Sequence, residues 1–222
     1  MTVTTAEIDS AIPTAGTPSR SLTNALLKKL VAEQQADFRV TVAGRYYPIT
    51  DAPMSTSSAP SLNTIYFTPF VIRESTSISA LTVRLNTGAA SGEIQLAVYA
   101  SSPTTIFPEG SPLAATGVLS ATVAAVLEGS VTPATLAPGI YYFALMGNDT
   151  TLRWSSISGN AGNAISDLVG MPSAASLYAN ASNTSVSVNA SNTYGTWPTN
   201  PTIGTGGTTS VLMPFGGYRV TP

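Results

Sequence analysis

Gly92-Glu93-Ile94-Gln95-Leu96-Ala97-Val98-Tyr99-Ala100 decides the fold. Ile94, Leu96 and Val98 fall on one side of an extended chain, and Glu93, Gln95, Ala97 and Tyr99 on the other. A period of two predicts a strand with one face buried. Just upstream, in Ile78–Asn86, Leu81, Val83 and Leu85 alternate with Thr82 and Arg84 in the same way. The segment between, Thr87-Gly88-Ala89-Ala90-Ser91-Gly92, is built of residues that tolerate tight turns. With Ile65–Glu74 before them, these runs predict an all-β protein, an antiparallel β-sandwich.

Downstream, short strand candidates alternate with turn residues to the end of the chain. Ser101–Pro112 holds three prolines and reads as a long loop. Gly117–Leu127 is apolar enough for a buried strand, its valines favouring strand over helix. Ala137-Pro138-Gly139 is a turn that launches Ile140–Met146, the strongest β run in the sequence. Gly147-Asn148-Asp149 turns that run into Thr151–Trp154. Ser155–Asn192 is rich in Ser, Asn, Ala and Gly and reads as loops. Val211–Phe215 and Tyr218–Val220 predict a closing strand, with a bulge or kink at Gly216-Gly217.

Upstream the pattern changes. Met1–Ser19 is rich in Thr, Ala and Pro, without periodicity. It reads either as a disordered tail or as an arm that orders on docking, with Ile8, Ile12 and Pro13 as anchors. Arg20–Phe38 predicts the one helix. Leu22, Ala25, Leu26, Leu30 and Val31 recur at spacings of three and four, and Pro18 with Ser19 or Ser21 supplies a start and a cap. Charges at Glu33 and Asp37 argue against a long coiled coil. Two roles fit the helix: a short bundle at an oligomer axis, or packing on its own sandwich. Asp37–Thr50 alternates as a short β segment. The organisation expected is therefore an N-terminal anchoring region over 1–50, a Pro/Ser linker over 51–61, and the sandwich over 62–222.

Composition narrows the chemistry. The chain is 43% hydrophobic but only 9% charged, against about 25% in ordinary soluble domains. The nine Lys and Arg are scattered, so nothing resembles the cationic cluster that duplex nucleic acid requires. Cysteine and histidine are both absent. That removes disulfides, thiolate metal sites, and Ser–His–Asp or Cys–His catalysis. No window approaches the about 20 apolar residues of a membrane span, and the N-terminus lacks the pattern of a secretory leader. No cofactor and no metal is expected.

Several stretches together resemble a known module. They are Tyr66-Phe67-Thr68-Pro69-Phe70, Ile78-Ser79-Ala80-Leu81, Gly92–Tyr99, Gly110-Ser111-Pro112-Leu113 with Thr116-Gly117, and Leu136–Ala144. Their order from Phe67 to Trp154 resembles the jelly-roll module of bacteriophage tail-fibre, tailspike and other virion proteins. The resemblance implies a non-enzymatic virion structural protein, a short head or tail fibre or a capsid-decoration subunit. It further implies a homotrimer located in the virion after synthesis in the host cytoplasm, with capsid, portal or tail proteins as partners. No long stalk repeat is present. On this reading Leu22, Ala25, Leu26, Leu30 and Val31 form the oligomer interface, and Ile8, Ile12 and Pro13 anchor the chain to the virion.

Chemistry-bearing residues are few. Glycan cleavage needs two carboxylates about 5–9.5 Å apart, and no two acids of the sandwich share a short motif; Glu74, Glu93 and Glu128 are the ones that folding could bring together. Asn148-Asp149 reads as a turn rather than a calcium loop. Tyr178, Tyr194 and Trp197 are the candidates for binding host surface glycan, because a loop aromatic can stack on a sugar. The other role open to Trp197 is a lid over one end of the core.

Overall fold

The computed structural model describes residues 41–50, 54–56, 60–157, 188–204 and 213–222. The arm and helix expected over 1–38, with Ile8, Ile12, Pro13, Leu22, Ala25, Leu26, Leu30 and Val31, lie outside the described residues, as does Tyr178. The chain divides into two units, Met1–Val42 and Ala43–Pro222. Every strand named below belongs to the second.

Two antiparallel sheets pack face to face, as the alternating runs predict. The first is built on β4 (Thr76–Thr87). One edge of β4 pairs with β8 (Ala125–Leu136). Its other edge is shared end to end by β13 (Gly216–Val220) and β10 (Arg153–Ile157). Beyond these lie β1 (Tyr46–Pro48) on β13 and β2 (Met54–Thr56) on β10. The second sheet runs β12 (Ile203–Gly204), β11 (Val188–Ser191), β3 (Thr64–Ile72), β9 (Gly139–Gly147), β5 (Glu93–Ser101), then β6 (Pro108–Ala115). β7 (Leu119–Ser120) joins β5 on the same edge as β6.

The core between the sheets takes Tyr66 and Phe70 from β3, Leu81, Val83 and Leu85 from β4, Ile94, Leu96 and Val98 from β5, and Phe143 and Leu145 from β9, with Trp154 and Tyr218. These are the inward positions that a period of two assigns. Ile78 also faces inward although it is an odd number of residues from Leu81. A bulge between Ile78 and Ala80 resets the phase. Pro69 sits in the middle of β3 yet breaks no ladder. β11 pairs β3 only over Thr64–Phe67, so the edge that proline cannot serve is already open there.

Five expectations change. The short β segment is part of the sandwich: β1 pairs with the last strand, and Tyr47 stacks on Tyr218 at 5.9 Å. The 51–61 segment is not only a linker, because Met54–Thr56 adds a strand to β10. Register with distant strands, which no local window carries, moves the boundary to Val42–Ala43. In place of a buried strand over Gly117–Leu127 there are β7 and the start of β8, with Val118, Val123 and Val126 exposed. The proline-rich 101–112 loop contains β6, which tolerates Pro108 and Pro112 because it is an edge strand. Finally, the Gly216-Gly217 pair lies within β13, and the register shift falls at Arg219–Val220. A Cβ on Gly216 would stand 2.3 Å from Cζ of the buried Phe143 ring, so glycine is required there by packing.

Candidate functional site

The seven-stranded sheet is buried on both faces, which the alternation in β5 does not predict. Alternation places Glu93, Gln95, Ala97 and Tyr99 opposite the one buried face. Ala97 and Tyr99 are fully buried, and Gln95 is 7% exposed. A second apolar cluster covers this outer face, with Ile65, Phe67, Tyr99, Tyr142 and Met146 at its centre.

The cover is a strap, residues 192–202, that leaves β11 beside β3, crosses the sheet to β6, and returns as β12. The Asn192 N–H donates to Asn63 O at 2.7 Å beside β3. Trp197 meets Tyr99 of β5 edge-on at 6.2 Å, and the Tyr99 hydroxyl donates to Pro198 O at 3.0 Å. At β6 the Gly110 N–H donates to Asn200 Oδ1 at 2.7 Å, and the Asn200 N–H returns a bond to Gly110 O at 3.1 Å. Asn200 takes φ 55°, a left-handed turn that asparagine accepts more readily than most residues. Under the strap, burial raises the Tyr142 and Tyr194 hydroxyls to about 12, with Glu93 adding to the effect on Tyr194, and raises Tyr99 still further. The Tyr142 hydroxyl donates to Ile106 O. Ile106 is a β-branched residue at φ 58°, strain of about 1–3 kcal/mol that the surrounding bonds hold in place.

Tyr194 and Trp197 are thus on one segment, half-buried against the sheet. Their polar atoms, Tyr194 Oη and Trp197 Nε1, are buried without a hydrogen-bond partner among the described residues. The ring contact with Tyr99 sets Trp197 against the outer face of the seven-stranded sheet, not over one end of the core between the sheets.

Of the acids that folding could bring together, Glu74 lies between β3 and β4, and Glu93 and Glu128 do not converge. Glu93 lies on the outer face of the seven-stranded sheet, where Asn148 Nδ2 donates to its Oε2 at 3.4 Å. Glu128 projects from the outer face of the other sheet and accepts from the Tyr46 hydroxyl at 2.8 Å. Asp149 accepts from the backbone N–H and hydroxyl of Thr151, at 2.7 and 2.6 Å, and these bonds hold its carboxyl below the usual range. The Asn148-Asp149 turn is therefore closed by its own side chains. Among the described residues no group of three acids is placed to hold a metal.

The outer face of the six-stranded sheet carries a feature the sequence reading missed. Tyr46 of β1 is half-exposed, pinned at its hydroxyl by Glu128, and faced by the Arg219 guanidinium at 5.7 Å from the ring centroid. The bond to Glu128 raises the Tyr46 hydroxyl above its ordinary value. Beside the ring is a shallow hollow of about 250 Å³, lined by Tyr46, Pro48, Met54, Thr82, Arg84 and Val126 with Gly217. The only local signal was that Tyr46 alternates with Tyr47 and Ile49. The pairing Tyr46↔Arg219 joins residues from opposite ends of the chain.

No protein-family model matches the chain, and no curated protein matches it either.

Proposed function

We propose that the chain is a non-enzymatic structural protein of the kind the jelly-roll resemblance implies, a short fibre or decoration subunit of a virion that assembles with copies of itself. The observation that carries this reading is a set of exposed apolar residues, Leu113, Val118 and Val123, at 46–65% exposure in β6 and the two links that follow it. Scattered exposed apolar residues are ordinary. Three in the stretch from β6 to the start of β8, on a chain with so little charge, suit a surface that another subunit covers. The disposition of the carboxylates supports the same reading, because Glu93, Glu128 and Asp149 are engaged in separate structural hydrogen bonds.

The test is light scattering on the full chain, on a chain starting at Ala43, and on the full chain carrying Leu113→Asp and Val123→Asp. A start at Ser61 is unsuitable because it removes β1 and β2. The expected result is an oligomer, a trimer on the fibre reading, that the paired Asp substitutions dissociate. Loss of the oligomer only in the chain from Ala43 would move the interface to Met1–Val42. A monomeric full chain would refute the assembly.

A further inference from the structure

We infer that the hollow beside Tyr46 binds an acidic saccharide, one sugar ring carrying a carboxylate. The inference goes beyond the assembly reading and does not depend on it: sugar binding is read separately from solution mass.

Three features lead to that class. The first is a fixed aromatic platform. A half-exposed tyrosine ordinarily samples several rotamers, and a ligand that uses its face must order it at an entropic cost. Tyr46 is already held, at its hydroxyl by Glu128 and across its ring by Arg219. The apolar C–H face of a sugar packs on such a ring.

The second is size and access. A volume of about 250 Å³ falls just under the about 300–1,000 Å³ of drug-sized pockets, which suits one ring. Gly217 lines the hollow, close against its neighbours. It shares its cross-strand row with Pro48, Thr82 and Glu128, and a Cβ there would project to 2.9 Å from Thr82 Oγ1. That Cβ would also stand 3.0 Å from the Tyr47 carbonyl oxygen, so packing requires glycine at this point of the floor. The backbone of the floor is consumed in the ladder on both sides, since Gly217 pairs with Pro48 and with Thr82. Along that row a peptide strand gains no ladder bond, and recognition there runs through side chains.

The third is charge. Arg84, exposed on β4, lines the hollow. Glu128 is engaged by Tyr46 and Arg219 lies against the ring, so Arg84 is the lining cation left to meet a ligand. A guanidinium pairs with a carboxylate through two parallel hydrogen bonds, which fixes the orientation of the ligand as well as its charge. Thr82 supplies a hydroxyl for a sugar hydroxyl.

The experiment is saturation-transfer NMR and titration of the full chain with methyl glucuronide and with methyl glucoside, its neutral counterpart. The glucuronide is expected to bind at least about tenfold more tightly, the ratio that one charged hydrogen-bonded pair supports. Tyr46→Ala is expected to abolish transfer to both sugars. Arg84→Gln, at an exposed position, is expected to bring the glucuronide down to the affinity of the glucoside. Both variants are checked for an unchanged melting transition. No transfer to either sugar, equal affinity for the two, or glucuronide binding that survives Tyr46→Ala each overturns the inference. An acidic peptide competing at the same affinity would overturn the saccharide class.

Discussion

Gly216→Ala tests the packing of the two sheets most directly. The new Cβ would lie 2.3 Å from Cζ of Phe143 and 2.6 Å from both Cε atoms, where carbon–carbon contacts relax only at about 3.5–4.0 Å. More than 1 Å must be found. Phe143 is fully buried in the inter-sheet core and cannot rotate out of the way. The β13 backbone is held by β4 on one side and β1 on the other. Overpacking of this kind costs about 1–3 kcal/mol, and a rigid ring against a held backbone places this site at the upper end. Replacing glycine returns about 0.4–1 kcal/mol by restricting the unfolded chain. The net expectation is destabilisation of about 2 kcal/mol. For a sandwich of this size that corresponds to a melting temperature lower by about 4–8 °C. Urea denaturation at equilibrium, with the slope unchanged, is the assay. In a double-mutant cycle with Phe143→Leu, the alanine should cost less in the Leu background, a positive coupling between neighbours. A Gly216→Ala protein within about 0.5 kcal/mol of the parent would refute the reasoning.

Trp197→Ala should destabilise the fold by about 2 kcal/mol, roughly half the about 3–5 kcal/mol of a fully buried aromatic, because the ring is half-buried on Tyr99; a surface sugar platform would leave the urea midpoint unchanged. Gly88→Ala would put its Cβ 2.4 Å from the Thr122 backbone, so hydrogen exchange in the β4–β5 turn and the β7–β8 connection should accelerate together. A chain starting at Ser61 should aggregate or melt early while one starting at Ala43 folds, since the first lacks the strands that cover β13 and β10; circular dichroism melts of the two separate these outcomes. In alkali, Tyr142 and Tyr194 should ionise at about 12 and Tyr99 later. Their folded values are raised, so the stability they contribute is complete below about pH 10, where unfolded tyrosine titrates, and is lost as pH rises through the folded values. Phenolate absorbance should therefore lag for these residues until the sandwich opens.

The inter-sheet core was legible in the sequence because it obeys a local rule. Ile94, Leu96 and Val98, and Leu81, Val83 and Leu85, face inward as alternation assigns them. What escaped depends on residues far apart in sequence. Nothing around Tyr99 shows that Trp197 will cross the sheet and bury it, so the outer face of β5 looked solvent-exposed. Nothing around Tyr46 shows that Arg219 and Glu128 will meet it. Prolines misled for a related reason: Pro108 and Pro112 forbid a central strand but not an edge one, and edge status is a property of the assembled sheet.

That division bears on where binding can evolve in this fold. Inward positions of both sheets are fixed by packing, and the strap removes the outer face of the seven-stranded sheet as well. Glu93, Asn148 and the Tyr99 hydroxyl, all polar on that side, are spent on closing turns or holding the strap. The outer face of the six-stranded sheet differs: Thr82, Arg84, Val126, Glu128 and Tyr46 all project from it around the hollow. Among the described residues this face is the less covered of the two, and its side chains can vary without disturbing the core. Tyr46 is the telling residue there. Its two restraints, Glu128 and Arg219, hold an exposed ring in one orientation, and neither restraint belongs to the packing between the sheets.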